Sequence, residues 1–458
     1  MTSPKDDPRR RLKGQIASGE ARLLPLTFPQ RELWENSPLP PGDPANQICA
    51  TIDIRGTFSF DLCEEALRSV VARQEALRTS FLSGSGRAAQ VVRTKAEPAL
   101  RCRDVDPPQA LEEALEEVFS APFDIVPGPL YRVEMLRMAA DHHVLALVFH
   151  HAIADGWTLG VFVEDFTTAY VLALRQSGRA FAHIRGVPEG LPPVGQTYSA
   201  WAATERARWQ PAEIEHHETY WKRKLAGAKP LFNGVGPQTP LSPLSRRVTF
   251  ISPELTEATR TVARQAGVTF FTALLTAFQV ALFRWKGADD VVLGTPHANR
   301  TTAQVRGTMG YFAGVVPLRV RLDPGQPYAA TLAANQAEVV EDFAHAMPFA
   351  ELAACLGEPS GLHRHPVFDV RFALQNHPVP DIELPGISTR LRTCSTGTSR
   401  FDIACELTED GQSLEVVWLY RPSLVNDEEI GDLDRLLLAV LEDADRTPGF
   451  HPGEKRPH

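Results

Sequence analysis

Residues 150 to 156 bring two histidines, an aspartate and a glycine together in a spacing that suits proton transfer. The segment reads His-His-Ala-Ile-Ala-Asp-Gly and follows an apolar run, Val144 to Phe149, that predicts a buried strand. Imidazole is the side chain best suited to moving protons near neutral pH. The spacing therefore makes His151 a candidate general base on a turn at the end of that strand.

The carboxylate of Asp155 follows His151 by four residues and admits two roles. It could contact the imidazole directly, or it could form a buried ion pair with an arginine and lock the turn. Gly156 would let a substrate chain pass close to the backbone, where a Cβ would obstruct it. The chemistry that fits is acyl transfer, in which a base takes the proton of an amine or alcohol nucleophile.

Histidine pairs also have simpler explanations as surface or core features. We interpret His142-His143 and His216-His217 in that way, because their sequence neighbours are polar. A metal site at His150 and His151 is disfavoured, since adjacent side chains on an extended segment point to opposite faces. No HExxH motif or CxxC pair accompanies them. We therefore predict no metal, and spacing alone leaves a catalytic and a structural role equally open.

Composition excludes several classes of partner. The 458 residues carry 47 Lys and Arg against 56 Asp and Glu, so we expect no nucleic-acid partner. No apolar run approaches the ~20 residues that span a bilayer, and the N-terminus is polar. We therefore expect no membrane span and no secretory signal, and we predict a cytoplasmic location. The six cysteines lie far apart and fit reduced thiols.

Helices alternate with apolar strands along both halves of the chain, which predicts an α/β fold built from α+β layers. The strand before the histidines should pair with a strand at Tyr131 to Met138, and a long helix should follow at Leu159 to Arg175. Further predicted helices cover Asp61 to Gln74, Gln109 to Phe119, Thr197 to Arg208, Pro211 to Leu225, Leu255 to Ala266, Thr269 to Trp285 and Asp427 to Leu441. Further predicted strands cover Asp290 to Gly294, Val315 to Leu322, Val367 to Leu374, Phe401 to Leu407 and Leu414 to Leu419.

Length and a break in this pattern divide the chain in two. The stretch from Ser177 to Gly195 is rich in Gly and Pro and predicts a linker. We place an N-terminal lobe carrying the histidine turn at residues 1–185 and a C-terminal lobe at residues 186–458. The tail from Pro448 to His458 is expected to be disordered.

Eight segments, in order along the chain, resemble the motifs of condensation domains from nonribosomal peptide synthetases. In the second motif, RHExLRTxF, Gln74 replaces the usual histidine, and in the fifth, IGxFVNTxPxR, Gly314 and Val315 replace Asn-Thr. The matching segments are Leu26–Trp34, Arg73–Phe81, the HHxxxDG turn at 150–156, Tyr198–Trp201 with Tyr220–Leu225, Asp290–Pro296 with Asn299-Arg300, Met309–Arg319, Pro348-Phe349, and Pro366–Asn376. So many ordered matches are hard to produce by chance.

This resemblance implies a V-shaped pseudo-dimer of two lobes like chloramphenicol acetyltransferase, with the active site at their junction. A tunnel would admit the phosphopantetheine arm of a carrier protein from one face and an acceptor from the other. The resemblance implies no bound cofactor and a monomeric chain.

Carried over residue by residue, the resemblance makes His151 the catalytic histidine and His150 its structural neighbour. Asp155 becomes the carboxylate that organises the loop, with Arg300 from the second lobe as its ion-pair partner, and Gly156 completes the motif. The expected tunnel residues are Trp157, Tyr311, Phe312 and Gly314. Because Gly314 and Val315 lack the hydrogen-bonding groups of Asn-Thr, we expect an atypical substrate.

Short polar tails and the lack of a carrier motif make the chain similar to a free-standing condensation enzyme. Such an enzyme transfers an acyl or aminoacyl group from a peptidyl or acyl carrier protein to a small-molecule amine or alcohol. Amide and ester products both occur in the group, including in the assembly of enediyne antibiotics. The alternatives are a non-catalytic module that docks on a carrier, an acyltransferase using acyl coenzyme A, and an epimerase of the same fold. The histidine turn argues against the first, and Pro317 and Arg319 argue against the last.

Overall fold

The structure is a computed structural model of the chain. It describes residues 8–36, 43–82, 88–105, 110–177, 190–232, 244–357, 367–375, 387–394, 401–447 and 449–454.

The described strands form three sheets. They are β1 (Ala21–Pro25), β2 (Gln47–Arg55), β3 (Thr79–Leu82), β4 (Ala89–Arg93), β5 (Leu100–Asp104), β6 (Tyr131–Ala139), β7 (His142–His150), β8 (Ser245–Ile251), β9 (Asp290–His297), β10 (Gly314–Arg321), β11 (Val370–Gln375), β12 (Ser388–Cys394), β13 (Ile403–Asp410) and β14 (Ser413–Tyr420). A five-stranded sheet has the order β12-β2-β7-β6-β5, a six-stranded sheet has the order β10-β9-β11-β13-β14-β8, and β1-β4-β3 form a small third sheet.

Helices pack against these sheets. They are α1 (Pro8–Ala17), α2 (Phe28–Arg31), α3 (Phe60–Arg73), α4 (Ala110–Ser120), α5 (Gly156–Gln176), α6 (Tyr198–Arg208), α7 (Pro211–Lys224), α8 (Pro253–Ala266), α9 (Phe270–Lys286), α10 (Tyr328–Ala344), α11 (Phe349–Cys355) and α12 (Asp427–Arg446). Each of the two large sheets has its own apolar core, one built mainly by residues before 175 and the other by residues after 208. This confirms an α/β fold with two lobes.

Strand β7 is the centre of the first lobe and positions the histidine turn. It pairs in antiparallel register with β2 on one side and β6 on the other, so that His150 lies opposite Gln47 and Phe149 lies opposite Tyr131. Its residues 144 to 149 are at most 3% exposed. Burial of a Val, Leu or Phe side chain contributes about 1.5–3 kcal/mol. A strand anchored in this way gives the turn at its end a rigid base.

The lobes are joined by more than the chain connection near residue 190. Strand β12 comes from the second half of the sequence but pairs along its whole length with β2 in the first sheet. Met309 also packs into the apolar core of the first lobe. The boundary that we predicted at residues 185 and 186 lies outside the described residues.

The predicted helices and strands each coincide with an observed element, and their ends differ by a few residues. The predictions missed β2, β8, α10 and β12, among others. The expectation of a disordered tail was wrong for residues 449–454. Phe450 is 8% exposed and stacks on Tyr328 with 4.8 Å between ring centroids, and the Tyr328 N–H donates to its carbonyl.

One member of each of the other two histidine pairs is buried, which is consistent with our interpretation of these pairs as surface or core features. His143 is 3% exposed on β7 and contacts Phe58. His217 is 4% exposed on α7, and its Nδ1 lies 3.2 Å from Nδ1 of His345. Polar sequence neighbours did not reveal these positions, because burial here follows from strand and helix packing.

Candidate active site

The histidine turn connects the end of β7 to the start of α5. Residues His151–Ile153 form one 3-10 turn, and Asp155 is the N-cap of α5, with its Oδ1 accepting from the Thr158 N–H at 2.8 Å. An aspartate at this position satisfies a backbone donor that has no partner inside the helix. The sequence therefore folds the motif as strand, tight turn and capped helix.

His150 holds the turn through its buried side chain. Its side chain is completely buried, and its Nδ1 accepts from the Ala152 N–H at 3.0 Å. A neutral imidazole that accepts at Nδ1 carries its proton on Nε2. The ring lies edge-on to Phe123. His150 thus occupies a structural position next to His151.

His151 lies where the two lobes meet. Its half-buried ring contacts Tyr311 of the second lobe edge-on, with 4.7 Å between ring centroids. Its Nδ1 is buried and has no hydrogen-bond partner among the described residues.

Burial lowers the pKa of the His151 imidazole below its ordinary value, and the positive charge of Arg371 lowers it further, whereas Asp155 acts in the opposite direction. The lowered pKa keeps the ring neutral at pH 7, the form that can accept a proton.

The carboxylate of Asp155 bonds to the second lobe as well as to its own helix. Its Oδ2 accepts from the backbone N–H groups of Phe312 at 3.0 Å and Ala313 at 3.3 Å. Arg300 Nη2 lies 3.2 Å from Oδ1 and 3.4 Å from Oδ2. Of the two roles considered for Asp155, the geometry fits the buried ion pair and not a bond to the imidazole.

Arg300 is fixed by backbone as well as by charge. Its Nη1 donates to the carbonyls of Val305 and Thr308, each at 2.7 Å, and its guanidinium lies 3.9 Å from the ring centroid of Phe312. Burial lowers the pKa of Arg300, and the charge of Asp155 opposes that effect. The pair therefore ties the histidine turn to the loop that leads into β10.

The expected tunnel residues do not share one location. Tyr311 contacts His151, and Gly314 begins β10 beside a recess described below. Trp157 is half-buried, and its indole N–H donates to the Arg306 carbonyl at 2.9 Å, which connects the lobes. The side chain of Phe312, the fourth expected tunnel residue, lies in an apolar cluster.

Phe312 is completely buried, since it packs with Tyr198 at 5.0 Å and Trp201 at 4.5 Å between ring centroids. Gly156, the first residue of α5, is exposed.

Three residues support the site in ways that the sequence did not reveal. Gln30 Nε2 donates to the Ala152 carbonyl at 2.9 Å and so holds the back of the turn. Arg371 pairs with Glu406 on the neighbouring strand β13. Gln30 lies in the opening motif, to which the sequence analysis gave no function. Arg371 is the charged residue in the mainly apolar strand β11, and this contrast could have marked it as a candidate.

The third is Gln74, which replaces the histidine of the second motif and bridges the lobes. Its Nε2 donates to Asp165 Oδ2 at 2.7 Å and to the Gly307 carbonyl at 3.1 Å, and its Oε1 accepts from the Met309 N–H at 2.9 Å. The substitution therefore exchanges a titratable group for an amide that can donate and accept at once.

Across the described ranges, no group of three or more His, Cys, Asp or Glu side chains is arranged to hold a metal ion. Within the same ranges no single helix is long and apolar enough to cross a bilayer. The helices α8 and α9, bent by 106°, meet the length and composition criteria only as a pair.

Comparison with known proteins identifies the family. The sequence model of the condensation-domain family matches residues 20–450, so the chain belongs to that family. Chondramide synthase cmdD of Chondromyces crocatus is 31% identical over 444 residues, which are 95% of this chain and 11% of that protein. Phosphinothricin tripeptide synthetase PhsC of Streptomyces viridochromogenes is 29% identical over 93% of this chain and 40% of its own length. The chain thus spans well under half of these relatives.

Solved structures show the same fold. The X-domain from teicoplanin biosynthesis superimposes with a TM-score of 0.80 at 24% identity and covers 95% of this chain and 97% of its own. The SgcC5 protein from Streptomyces globisporus has a TM-score of 0.73 at 23% identity and covers 92% of this chain and 98% of its own. Condensation domains form amide bonds in natural-product synthetases and act with carrier-protein domains on a phosphopantetheine-tethered group.

Proposed function

We propose that this chain transfers an acyl or aminoacyl group from a carrier-protein phosphopantetheine thioester to an amine or alcohol acceptor in natural-product biosynthesis. The observation that carries the proposal is the position of His151, a neutral imidazole at the contact between the lobes, 4.7 Å from Tyr311 by ring centroids. The turn that holds it is fixed on both sides, by His150 in the first lobe and by Arg300 in the second.

In this reaction the acceptor nitrogen or oxygen attacks the thioester carbonyl, the C–N or C–O bond forms, and the C–S bond breaks. The acceptor loses one proton, and the phosphopantetheine thiolate gains one as it leaves. Because Nδ1 of His151 is sealed from substrate, Nε2 is the atom that we assign to take the acceptor proton and return it to the sulfur. A positioned general base of this kind contributes ~10²–10⁴-fold in rate.

Asp155 and Arg300 act as positioning residues in this scheme. Both side chains of the pair are at most 2% exposed, so neither reaches a substrate. The Asp155 carboxylate draws the loop at residues 312 and 313 against the start of α5 and thereby sets the distance between Tyr311 and His151. Loss of the pair should therefore misplace the imidazole and leave its chemistry intact.

We also propose that the chain acts as a free-standing enzyme. One chain supplies every residue of the site, so a monomer is sufficient, with the carrier and a small-molecule acceptor as its partners. The structural similarity to SgcC5 extends over 98% of the SgcC5 chain and is consistent with this view.

A second candidate function is recruitment of another enzyme to a carrier. It is favoured by the similarity to the X-domain, which also has a solved complex with OxyB from teicoplanin biosynthesis. The retained histidine turn supports transfer over recruitment, because docking alone requires no base at the lobe contact.

The test is a transfer assay with the purified chain, a carrier protein loaded with an aminoacyl thioester, and a panel of amines and alcohols. Mass spectrometry should show an amide or ester product that requires the chain. Acyl coenzyme A in place of the loaded carrier separates the coenzyme-dependent alternative. Carrier binding without any product across the panel would favour the recruiting module and contradict transfer.

A further inference from the structure

A recess of about 690 Å³, counting the space at its mouth, lies beside the first residue of β10. The first lobe, the helix that follows the linker, and the second lobe all contribute to its walls. The residues that carry the argument are Phe28, His297, Gly314, Phe343, Met347 and Phe349.

The recess lies close along the chain to the proposed reaction centre. Gly314 lies three residues after Tyr311, which contacts His151. Residues 311–313 precede β10, and three residues of chain span at most ~10 Å, so the recess begins within that distance of the contact. An extended substrate of moderate length is long enough to span that distance.

His297 fills the space that a side chain at residue 314 would occupy. The two residues are register partners on β9 and β10. A Cβ built on Gly314 would lie 2.5 Å from His297 Nε2 and 3.1 Å from its Cδ2. Contacts this short do not occur between such atoms, so glycine at 314 is a condition for the observed position of the imidazole.

The same position carries asparagine in the motif that this segment resembles. In this chain, the space beside residue 314 is instead occupied by the imidazole of His297 on the adjacent strand.

The imidazole of His297 is available to a ligand. It contacts the ring of Phe343 edge-on with 6.3 Å between ring centroids, and no hydrogen bond within the described residues contributes to its pKa. Burial lowers its pKa to about 4, so the ring is neutral at pH 7 and offers one donor and one acceptor. Phe28, Met347 and Phe349 form the apolar part of the walls.

The charged groups at the recess are already engaged by protein. Glu205 accepts from the Trp209 indole N–H at 3.2 Å, and the Arg208 guanidinium lies 4.7 Å from the Trp209 ring centroid. Asn299 and Thr301 also line the recess, so His297 is one of three neutral polar side chains there, and it is the one that lies against Gly314.

We propose that His297 is a specificity-determining residue that hydrogen-bonds an uncharged polar group, such as a hydroxyl, on an apolar part of the substrate held in this recess. This inference rests on the proposed acyl transfer. The polar group could belong to the carrier-bound acyl chain or to the acceptor, which present the same chemistry to the imidazole.

The experiment uses two matched substrate pairs that differ by one terminal hydroxyl. The acyl pair is carrier loaded with octanoyl or 8-hydroxyoctanoyl, and the acceptor pair is octylamine or 8-amino-1-octanol. Eight carbons are sufficient to cover the ~10 Å between His151 and the recess. The readout is the ratio of kcat/KM for the hydroxylated member to that for the plain member, measured for each pair.

For the unmodified chain we expect a ratio of about 10 in one pair, since one hydrogen bond contributes about 1–1.5 kcal/mol. His297→Phe keeps the ring and removes the polar atoms, so its ratio should fall to near 1. His297→Gln should keep part of the preference. Gly314→Ser should displace the imidazole and lower the ratio as well. The substrate pair whose ratio falls in His297→Phe shows whether the polar group belongs to the acyl chain or to the acceptor.

Ratios that are near 1 for both pairs in the unmodified chain, or unchanged in His297→Phe, would overturn the assignment. An equal loss for all four substrates would mark His297 as structural and would also overturn it. Calorimetric titration of the acceptor pair and of both loaded carriers measures the same preference as a ratio of Kd. Suppose that no variant turns over and that His297→Phe loses the Kd preference for the hydroxylated ligand. That result would contradict acyl transfer but support hydrogen bonding by His297 in the recess.

Discussion

Asp155 and Arg300 form an ion pair across the two lobes, with side chains that are 2% and 1% exposed and an Nη2–Oδ1 distance of 3.2 Å. The pair joins the N-cap of α5 to the loop that leads into β10, so one carboxylate fixes both the histidine turn and its neighbour Tyr311. Buried pairs of this kind are weak evidence for stability but can specify geometry.

Asp155→Ala should lower the free energy of unfolding by about 3–5 kcal/mol, because it leaves a buried guanidinium without its countercharge. The double variant Asp155→Ala/Arg300→Met should cost less than the sum of the two single variants, since it removes both charges. Chemical denaturation measures both effects. Glu257→Ala is the control: its pair with Arg264 has side chains 63% exposed, and its loss should change the free energy by under about 1 kcal/mol. Equal effects in the buried and the exposed pair would contradict the role given to Asp155.

Gln74 should contribute through its three hydrogen bonds and not through titration. Gln74→Leu leaves the Met309 N–H and an acceptor position on Asp165 unpaired, at a cost of about 1–3 kcal/mol each. Gln74→His can restore some of these bonds but cannot reproduce the geometry of an amide. The exposed Gln210, whose amide donates to the Arg206 carbonyl, provides Gln210→Leu as a control with little expected effect. Denaturation midpoints that fall equally for both leucine variants would refute this account.

The pH dependence of transfer should report on Arg371. Since the pKa of His151 is lowered by burial and by this charge, the acid limb of kcat/KM should lie below the ordinary histidine value of 6.5. Activity is lost as the pH falls through that pKa, because the base becomes protonated. Arg371→Met removes a positive charge, raises the pKa and moves the limb to higher pH.

The matched control for that variant is Arg371→Met/Glu406→Gln, which removes both charges of the pair. It should move the limb less than the single variant, since no uncompensated carboxylate remains. An acid limb that stays in place, or moves to lower pH, in the single variant would show that Arg371 does not act on the titrating group.

The local pattern of apolar residues was enough to predict the strand and helices that carry the candidate site. Strand β7 is apolar from residue 144 to 149, and α3 and α5 have apolar faces long enough to define them. Strand β12 could not be predicted in the same way. Its sequence, Ser-Thr-Arg-Leu-Arg-Thr-Cys, is largely polar, and it becomes a strand by pairing with β2, more than 300 residues earlier in the chain.

The sequence motifs named the residues of the candidate site but not their contacts. Asp155 had two possible partners, and only the packing of the second-lobe loop distinguishes them. Phe312 belongs to the same motif as Tyr311, yet one side chain is buried in the core and the other contacts His151. The contact of His297 with Gly314 depends on strand register, which separate motifs do not encode.

The most direct test of the central claim is single-turnover transfer from an aminoacyl-loaded carrier by His151→Ala, with carrier affinity measured in parallel. Removal of the proposed base should lower the rate constant ~10²–10⁴-fold while carrier affinity and the unfolding midpoint stay unchanged. His216→Ala, at a histidine on α7 outside the turn, serves as the control and should transfer at the normal rate. Undiminished transfer by His151→Ala would contradict the account.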